Sequence, residues 1–333
     1  MKNVTKILTA VVLCAALFAS DQRISALGGN AALWPGDEAN IPAFPGSIND
    51  HAMVQVTGVG WTLGDWDGDP NTAETYIEGA ESASILFDKD GTSWGFSYDN
   101  GGLNWFNMMY GNGDMGLTIG MVSSEDGSTG GTYEASGFSL GWGQSMDFGD
   151  VGVNYSSYEV LGVDVSSMGV NWRGDVGFWV FDSMTASLSM GDIGDDSATM
   201  LNATAFTHMD AGGADVLFAM GVENSSSEVG GVDDGYMHLQ NTVAVEANMT
   251  DWATFRLGAT YAYQLSGEND WTGPGGDQSD DGWNLSTGLG FNWGGLSADY
   301  TISQSFFNDP VSHITGYDGE NLTEQGVTLT YKF

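Results

Sequence analysis

The chain has 333 residues, 44 of them acidic and 7 basic, for a formal net charge of −37. Nucleic-acid binding needs a basic footprint, so that class is excluded. The 50 glycines, 12 tryptophans and 12 tyrosines favour an all-β chain of tight turns, and beyond the N-terminus no apolar run is long enough for a membrane helix.

The first twenty residues read as a secretory signal. Lys2 and Lys6 precede an apolar run from Ile7 to Phe18, and small residues follow at Ala19 and Ser20. Cys14, the one cysteine, lies inside this run, so the exported chain is expected to have no disulfide and no thiolate chemistry. Residues 21–50 have little periodicity and are expected to form a leader or an internal plug.

Alternating segments follow near 51–58, 82–88, 93–98, 103–110, 115–123, 135–146, 150–158, 165–173, 176–188, 198–209, 214–223, 236–249, 253–265, 282–293, 296–306 and 324–333. That is about sixteen strands, with fourteen as the alternative. Short turns at 88–91, Arg173-Gly174-Asp175, 210–213 and Gly294-Gly295 are rich in residues that tolerate positive φ. Between them lie long acidic stretches at 59–81, 123–134, 189–197, 224–235, 266–281 and 307–323. The first holds Asp65, Asp67 and Asp69 around Gly68, with Glu74 nearby. Hard oxygen ligands at alternate positions suit Ca²⁺, although the glycine is misplaced for an EF-hand and Pro70 follows the third Asp. A solvated acidic turn is the alternative.

Within strands the two faces separate. In 283–293, Trp283, Leu285, Leu289, Phe291 and Trp293 share one face, and Asn284, Ser286, Gly288, Gly290 and Asn292 the other. In 236–249 the apolar set runs Met237, Leu239, Val243, Val245, Ala247 and Met249. Keeping Met249 and Phe255 on one face, with a three-residue turn at Thr250-Asp251-Trp252, sets Met249 opposite Ala253. It also sets Glu246 opposite Arg256, an expected cross-strand ion pair. His51 and His208 fall near the short-turn end, His238 near the other end and His313 in a loop. None has a local nucleophile partner, and HExxH, CxxC and P-loop motifs are missing, so no enzyme is expected.

The chain closes on Val327, Leu329, Tyr331 and Phe333, apolar residues at every second position ending on an aromatic. This end resembles the last strand of a bacterial outer-membrane β-barrel of the porin type. The resemblance implies a transmembrane antiparallel up-and-down β-barrel over 51–333, with short periplasmic turns and long acidic extracellular loops. A mean hydropathy of −0.13 is compatible with it, because such barrels hide their apolar residues in alternation. It further implies residence in the outer membrane after export through the inner membrane, and the barrel-assembly machinery as reader of the terminal strand. Lipid and lipopolysaccharide, small solutes and a homotrimer are the other partners to consider. Arg173, His208, His238, Glu246, Arg256 and Asp299 are then expected at the lumen wall, with Arg173 at a periplasmic turn. Residues 21–50, with Ala26-Leu27-Gly28-Gly29, the acidic pair Asp37-Glu38 and Phe44-Pro45-Gly46, are loosely similar to the hatch of fatty-acid-transporter-like barrels. Those carry Asn-Pro-Ala where this chain has Phe44-Pro45-Gly46.

The implied function is a porin-like channel for small hydrophilic solutes. Only Arg23, Lys89, Arg173, Arg256 and Lys332 are basic outside the signal, and the external loops have almost no positive charge. The mouth should therefore favour cations. The alternatives are a hatch-plugged transporter of hydrophobic substrates and a structural or adhesive barrel.

Overall fold

The computed structural model describes residues 21–59, 82–99, 103–126, 133–268, 282–302 and 323–333. Sixteen antiparallel strands, each paired to its chain neighbours, close into one barrel. They are β1 (Met53–Val59), β2 (Ser82–Lys89), β3 (Thr92–Asp99), β4 (Trp105–Asn112), β5 (Met115–Asp126), β6 (Tyr133–Met146), β7 (Gly149–Val160) and β8 (Val163–Phe178), then β9 (Phe181–Ile193), β10 (Asp196–Asp210), β11 (Ala214–Val229), β12 (Val232–Thr250), β13 (Ala253–Glu268), β14 (Gly282–Trp293), β15 (Leu296–Ile302) and β16 (Thr323–Lys332). β16 pairs with both β15 and β1, so the terminal strand closes the cylinder and leaves no edge.

Alternation drives the wall. Leu285, Ile119, Met121 and Leu201 are each about half exposed on the outer face. Thr242, Thr287, Thr328 and Thr330 are buried on the inner one. This is the inverse of a soluble barrel and suits an apolar solvent outside. Tyr331 and Phe333 face outward, with Val327 and Leu329 half-buried in the same row.

Four expected connections are corrected. Arg173-Gly174-Asp175 is not a turn: β8 continues to Phe178, and the turn is Trp179-Val180. Gly174 is small because Trp172 and the Phe148 carbonyl crowd it, with a Cβ there 2.8 Å from the Trp172 ring. Likewise 189–197 and 224–235 are not long loops. β9 and β10 meet around Gly194-Asp195, and β11 and β12 around Gly230-Gly231, both glycines of the latter at positive φ. The ladders run on past the apolar band, into water, where neither face needs apolar residues. Amphipathic alternation stops there while the strand does not. Finally, Asp251-Trp252 is a two-residue turn with Thr250 opposite Ala253, and Met249 forms a bulge. The bulge restores the parity, so Glu246 does stand opposite Arg256.

Inside the barrel, at the end carrying the short turns, lies the chain that precedes β1. It comprises helix α1 (Asp21–Ala26) and three 3-10 turns, η1 (Ala31–Leu33), η2 (Glu38–Asn40) and η3 (Pro45–Asp50). α1 packs on β13–β16, and η3 on β3–β7.

A plugged lumen as the candidate functional site

Local sequence shapes the plug. Asn30 caps η1 by accepting from the Ala32 amide at 3.0 Å, and Asp37 caps η2 by accepting from the Ala39 amide at 2.9 Å. Two apolar clusters then fix the segment to the wall. Ile24, Leu27, Leu33 and Trp34 pack with Phe206, Leu217, Ala219 and Ala244. Ile41 and Ile48 pack with Met53, Leu86 and Met109.

The wall is cut to receive this segment. A Cβ at Gly116 would collide with the Pro45 carbonyl, one at Gly152 with the Ala43 carbonyl, and one at Gly258 with the Gly28 amide. At Gly143 it would stand 2.8 Å from the Gly46 nitrogen. Glycine weakens a strand interior, so four at lumen positions mark the close approach of another backbone.

An ion pair ties the first half of the plug to β12, and two further pairs within the wall carry the network on to β13 and β15. Arg23 pairs with Asp37 in the plug and with Glu246 at 2.9 Å on the wall. Glu246 also accepts from Arg256 at 2.7 Å, and Arg256 donates to Asp299 at 2.6 Å. The chain Asp37–Arg23–Glu246–Arg256–Asp299 alternates in sign throughout. Burial works against the Arg23 charge, but Asp37 and Glu246 outweigh it and raise its pKa. The Arg23 guanidinium also lies over the Trp34 ring, 5.2 Å from its centre.

Arg173 and His208 hold the plug from other strands. Arg173 donates to Asn40 Oδ1 at 3.1 Å and to Asp150 at 2.9 Å, and lies 4.5 Å from the centre of the Phe44 ring. His208 meets the Leu33 carbonyl at 2.8 Å through Nε2 and Asp215 at 3.0 Å through Nδ1. Trp34 packs edge-on against its ring, with centroids 4.8 Å apart.

Thus Arg173, His208 and Glu246 bond residues 21–50 directly, and Arg256 and Asp299 join them through Glu246. His238 does not. It lies further along β12, stacked on Tyr236 at 4.4 Å, where Glu223 accepts from Tyr236 and Gln240. Asp65, Asp67, Asp69 and Glu74 lie outside the described residues, as do His313 and residues 1–20. The sequence reading placed Arg23, Asp37 and Glu38 in the leading segment but not the partners they meet, and it missed the glycine seat. Glycine at alternate positions of β5 and β6 was the signal available.

Two cavities open at the turn end on either side of Pro35-Gly36. One of about 560 Å³ holds Asp37, Glu38, Glu246, Arg256 and Lys332. The other, about 310 Å³, holds Phe44, Ser47, Asp150 and Arg173. Nearer the loop end, Trp105, Val122, Ala135, Tyr158 and Val165 form an apolar cluster on the lumen face.

No protein-family model and no curated protein matches the chain. Solved structures do. It is similar to a bacterial polysaccharide outer membrane secretin, with 11% identity, a TM-score of 0.50, and coverage of 86% of this chain and 99% of that one. It also matches the CymD monoaromatic hydrocarbon channel at 10% identity and a TM-score of 0.43, over 95% of this chain and 98% of that one. A Pseudomonas aeruginosa FadL homologue matches at 12% identity and a TM-score of 0.37, over 96% and 99%. At such identities the likeness speaks for the fold alone. The chain has the closed antiparallel barrel fold of outer-membrane proteins.

Proposed function

We propose that this protein is a plug-gated channel of the bacterial outer membrane, closed at rest and cation-preferring when open. One observation carries the reading: residues 21–50 occupy a seat in the lumen that strand glycines clear and ion pairs lock. A passive leader needs neither. In this reading the expected open porin becomes a pore with a stopper. The turn end faces the periplasm, as in other barrels of this build. Val327, Leu329, Tyr331 and Phe333 serve as the assembly signal. Cation preference is supported by the carboxylates at the loop end, among them Glu159, Asp164, Asp192, Glu228 and Asp233.

Single-channel recording across a salt gradient tests this. The native chain should show small or rare openings. A chain lacking residues 21–50 should conduct steadily, with a cation-selective reversal potential. Equal conductance in the two would end the gating reading.

A second reading, passage of apolar solutes past the same plug, is favoured by the apolar cluster around Trp105 and Tyr158. It predicts uptake of an apolar dye into vesicles and little ionic current, even without the plug.

A further inference from the structure

Between the loop side and the turn side, the plug is not uniformly thick. A narrow pocket above it, of about 20 Å³, has Glu38, Gln55, Ser82, Ser84, Ser97 and Asp99 in its lining together with Ile41, Met53, Leu86 and Met109 of the apolar cluster. The 560 Å³ vestibule below is lined by Glu38, Asp37, Thr330, Lys332 and others. Glu38 is the residue common to both linings. It is 7% exposed and accepts a hydrogen bond from Gln55 Nε2 at 2.8 Å.

Strand register joins the two spaces beneath Glu38. Ser97 stands opposite Ser84, Ser84 opposite Gln55, and Gln55 opposite Thr330. These four side chains form one lumen-facing row across β3, β2, β1 and β16. Its first three members line the upper pocket and its last lines the vestibule. Gln55 bridges Glu38 and Thr330, donating to the latter at 3.0 Å. The next row sets Asp99 opposite Ser82 and Ser82 opposite Thr57. The Thr57 hydroxyl is buried without a hydrogen-bond partner, as is that of Thr328 on β16. The row thus sets the hydroxyls of Ser97, Ser84 and Thr330 about the Gln55 amide, whose nitrogen meets Glu38; Asp99 stands in the neighbouring row toward the loop side, and the basic Arg23, Arg256 and Lys332 lie on the vestibule side.

We infer that permeation follows this lane along β3, β2, β1 and β16, that Glu38 is its gate, and that the lane suits small monovalent cations with their water. This rests on the channel reading above and names its route. Hydroxyl oxygens and the Glu38 carboxylate replace part of an ion's hydration, as carbonyl and carboxylate rings do in selectivity filters. The groups facing Glu38 are Asp37 from the plug, Gln55 from β1 and Lys332 from β16. Burial, then Asp37, raises the Glu38 pKa. Protonation would thus remove the gate's charge more readily than for a free carboxylate.

The test is thiol accessibility, since Cys14 is the only cysteine and lies in the signal segment. Single cysteines are placed by Ser84→Cys above Glu38, Ser297→Cys in the vestibule below, and Ser145→Cys in the second vestibule. Methanethiosulfonate ethylammonium, a small cation, is added from the loop side of vesicles carrying the full chain. Ser84→Cys should react readily, and faster with this reagent than with its anionic sulfonate counterpart. Ser297→Cys should react slowly, then about tenfold faster when combined with Glu38→Ala. Ser145→Cys should not change. No acceleration at Ser297→Cys overturns the lane. Equal acceleration at both vestibule positions also overturns it, because Glu38 would then merely hold the plug in place. These rates need no ionic current, so failure of the recording above and failure of the lane are separate outcomes.

Discussion

Arg256 is the residue on which the plug's electrostatics turn. Its side chain is 6% exposed and sits between Glu246 and Asp299. Removing one member of such a buried set strands the others, at a cost of about 3–5 kcal/mol. Arg256→Met should therefore lower the unfolding free energy by that order in a denaturant titration. The double variant with Asp299→Asn should recover part of the loss, because Asp299 is the charge that Arg256 leaves stranded, whereas Glu246 keeps Arg23. Full additivity of the two changes would mean that the pair does not interact. Glu38 makes the opposite kind of statement. Burial and then Asp37 raise its pKa above the ordinary 4.5, so the seated form holds the proton more tightly than the unfolded chain. Its favourable contribution is complete below the ordinary carboxylate value. It is lost as pH rises through the raised one. The hydrogen-exchange protection of the η2 amides, with the base-catalysed intrinsic rate divided out, should fall across that window in the native chain. In Glu38→Gln it should stay flat, and a shared pH dependence would refute the assignment. The residue scale also shows what spacing reads well. Glu246 and Arg256 fall opposite each other because strand parity is a rule of two, and the Met249 bulge preserved that parity. Spacing offered no access to Arg23, which comes from 223 residues away in sequence.

At the scale of elements, the plug's seat is a property of strands as much as of the plug. Gly152 lies against the Ala43 carbonyl, whereas Gly169 on β8 has no heavy atom closer than 3.9 Å to an added Cβ. Gly152→Val should therefore displace η3 and the preceding turn, at roughly 1–3 kcal/mol of overpacking. Limited proteolysis within residues 41–50 would report the displacement. Gly169→Ala should leave the cleavage rate unchanged. If both variants behave alike, the seat is looser than the contacts imply. The strands also explain the misread connections. β12 runs for 19 residues, and β8 and β11 for 16 each, more than the 9–11 that cross a bilayer. Their ends stand in water, where Ser, Asp and Glu on both faces look like loop sequence while the backbone ladder continues. Gly174-Asp175 has turn composition for a different reason, the close approach of the Trp172 ring and the Phe148 carbonyl.

For the whole molecule, the outer face is the solvent boundary. Met108, Ile119 and Leu140 stand side by side on β4, β5 and β6, each 42–51% exposed. Ile119→Arg should cost about 2–4 kcal/mol if this row lies at the bilayer midplane. Unfolding from lipid vesicles would measure it, and a loss below about 0.5 kcal/mol would place the row at an interface or in water. The barrel should tolerate removal of the plug, because every strand keeps both ladder partners without it. Cation preference of the opened pore should weaken as salt rises, since exposed carboxylates are screened beyond about a Debye length.

The sequence by itself determined the places of the strands, an even number of fourteen to sixteen, the outward face and the Glu246–Arg256 register. Each of these follows from a period of two, which neighbouring residues suffice to specify; turn composition alone misplaced the turn at 173–175. The tertiary structure alone decided what the barrel contains. Whether residues 21–50 fill a lumen depends on Gly116, Gly143, Gly152 and Gly258 meeting a distant backbone, and on Arg23 reaching Glu246. Such contacts join residues with no common periodicity. They come into being only when the sheet closes; the alternate glycines of β5 and β6 record a close approach, but nothing local names the segment that makes it.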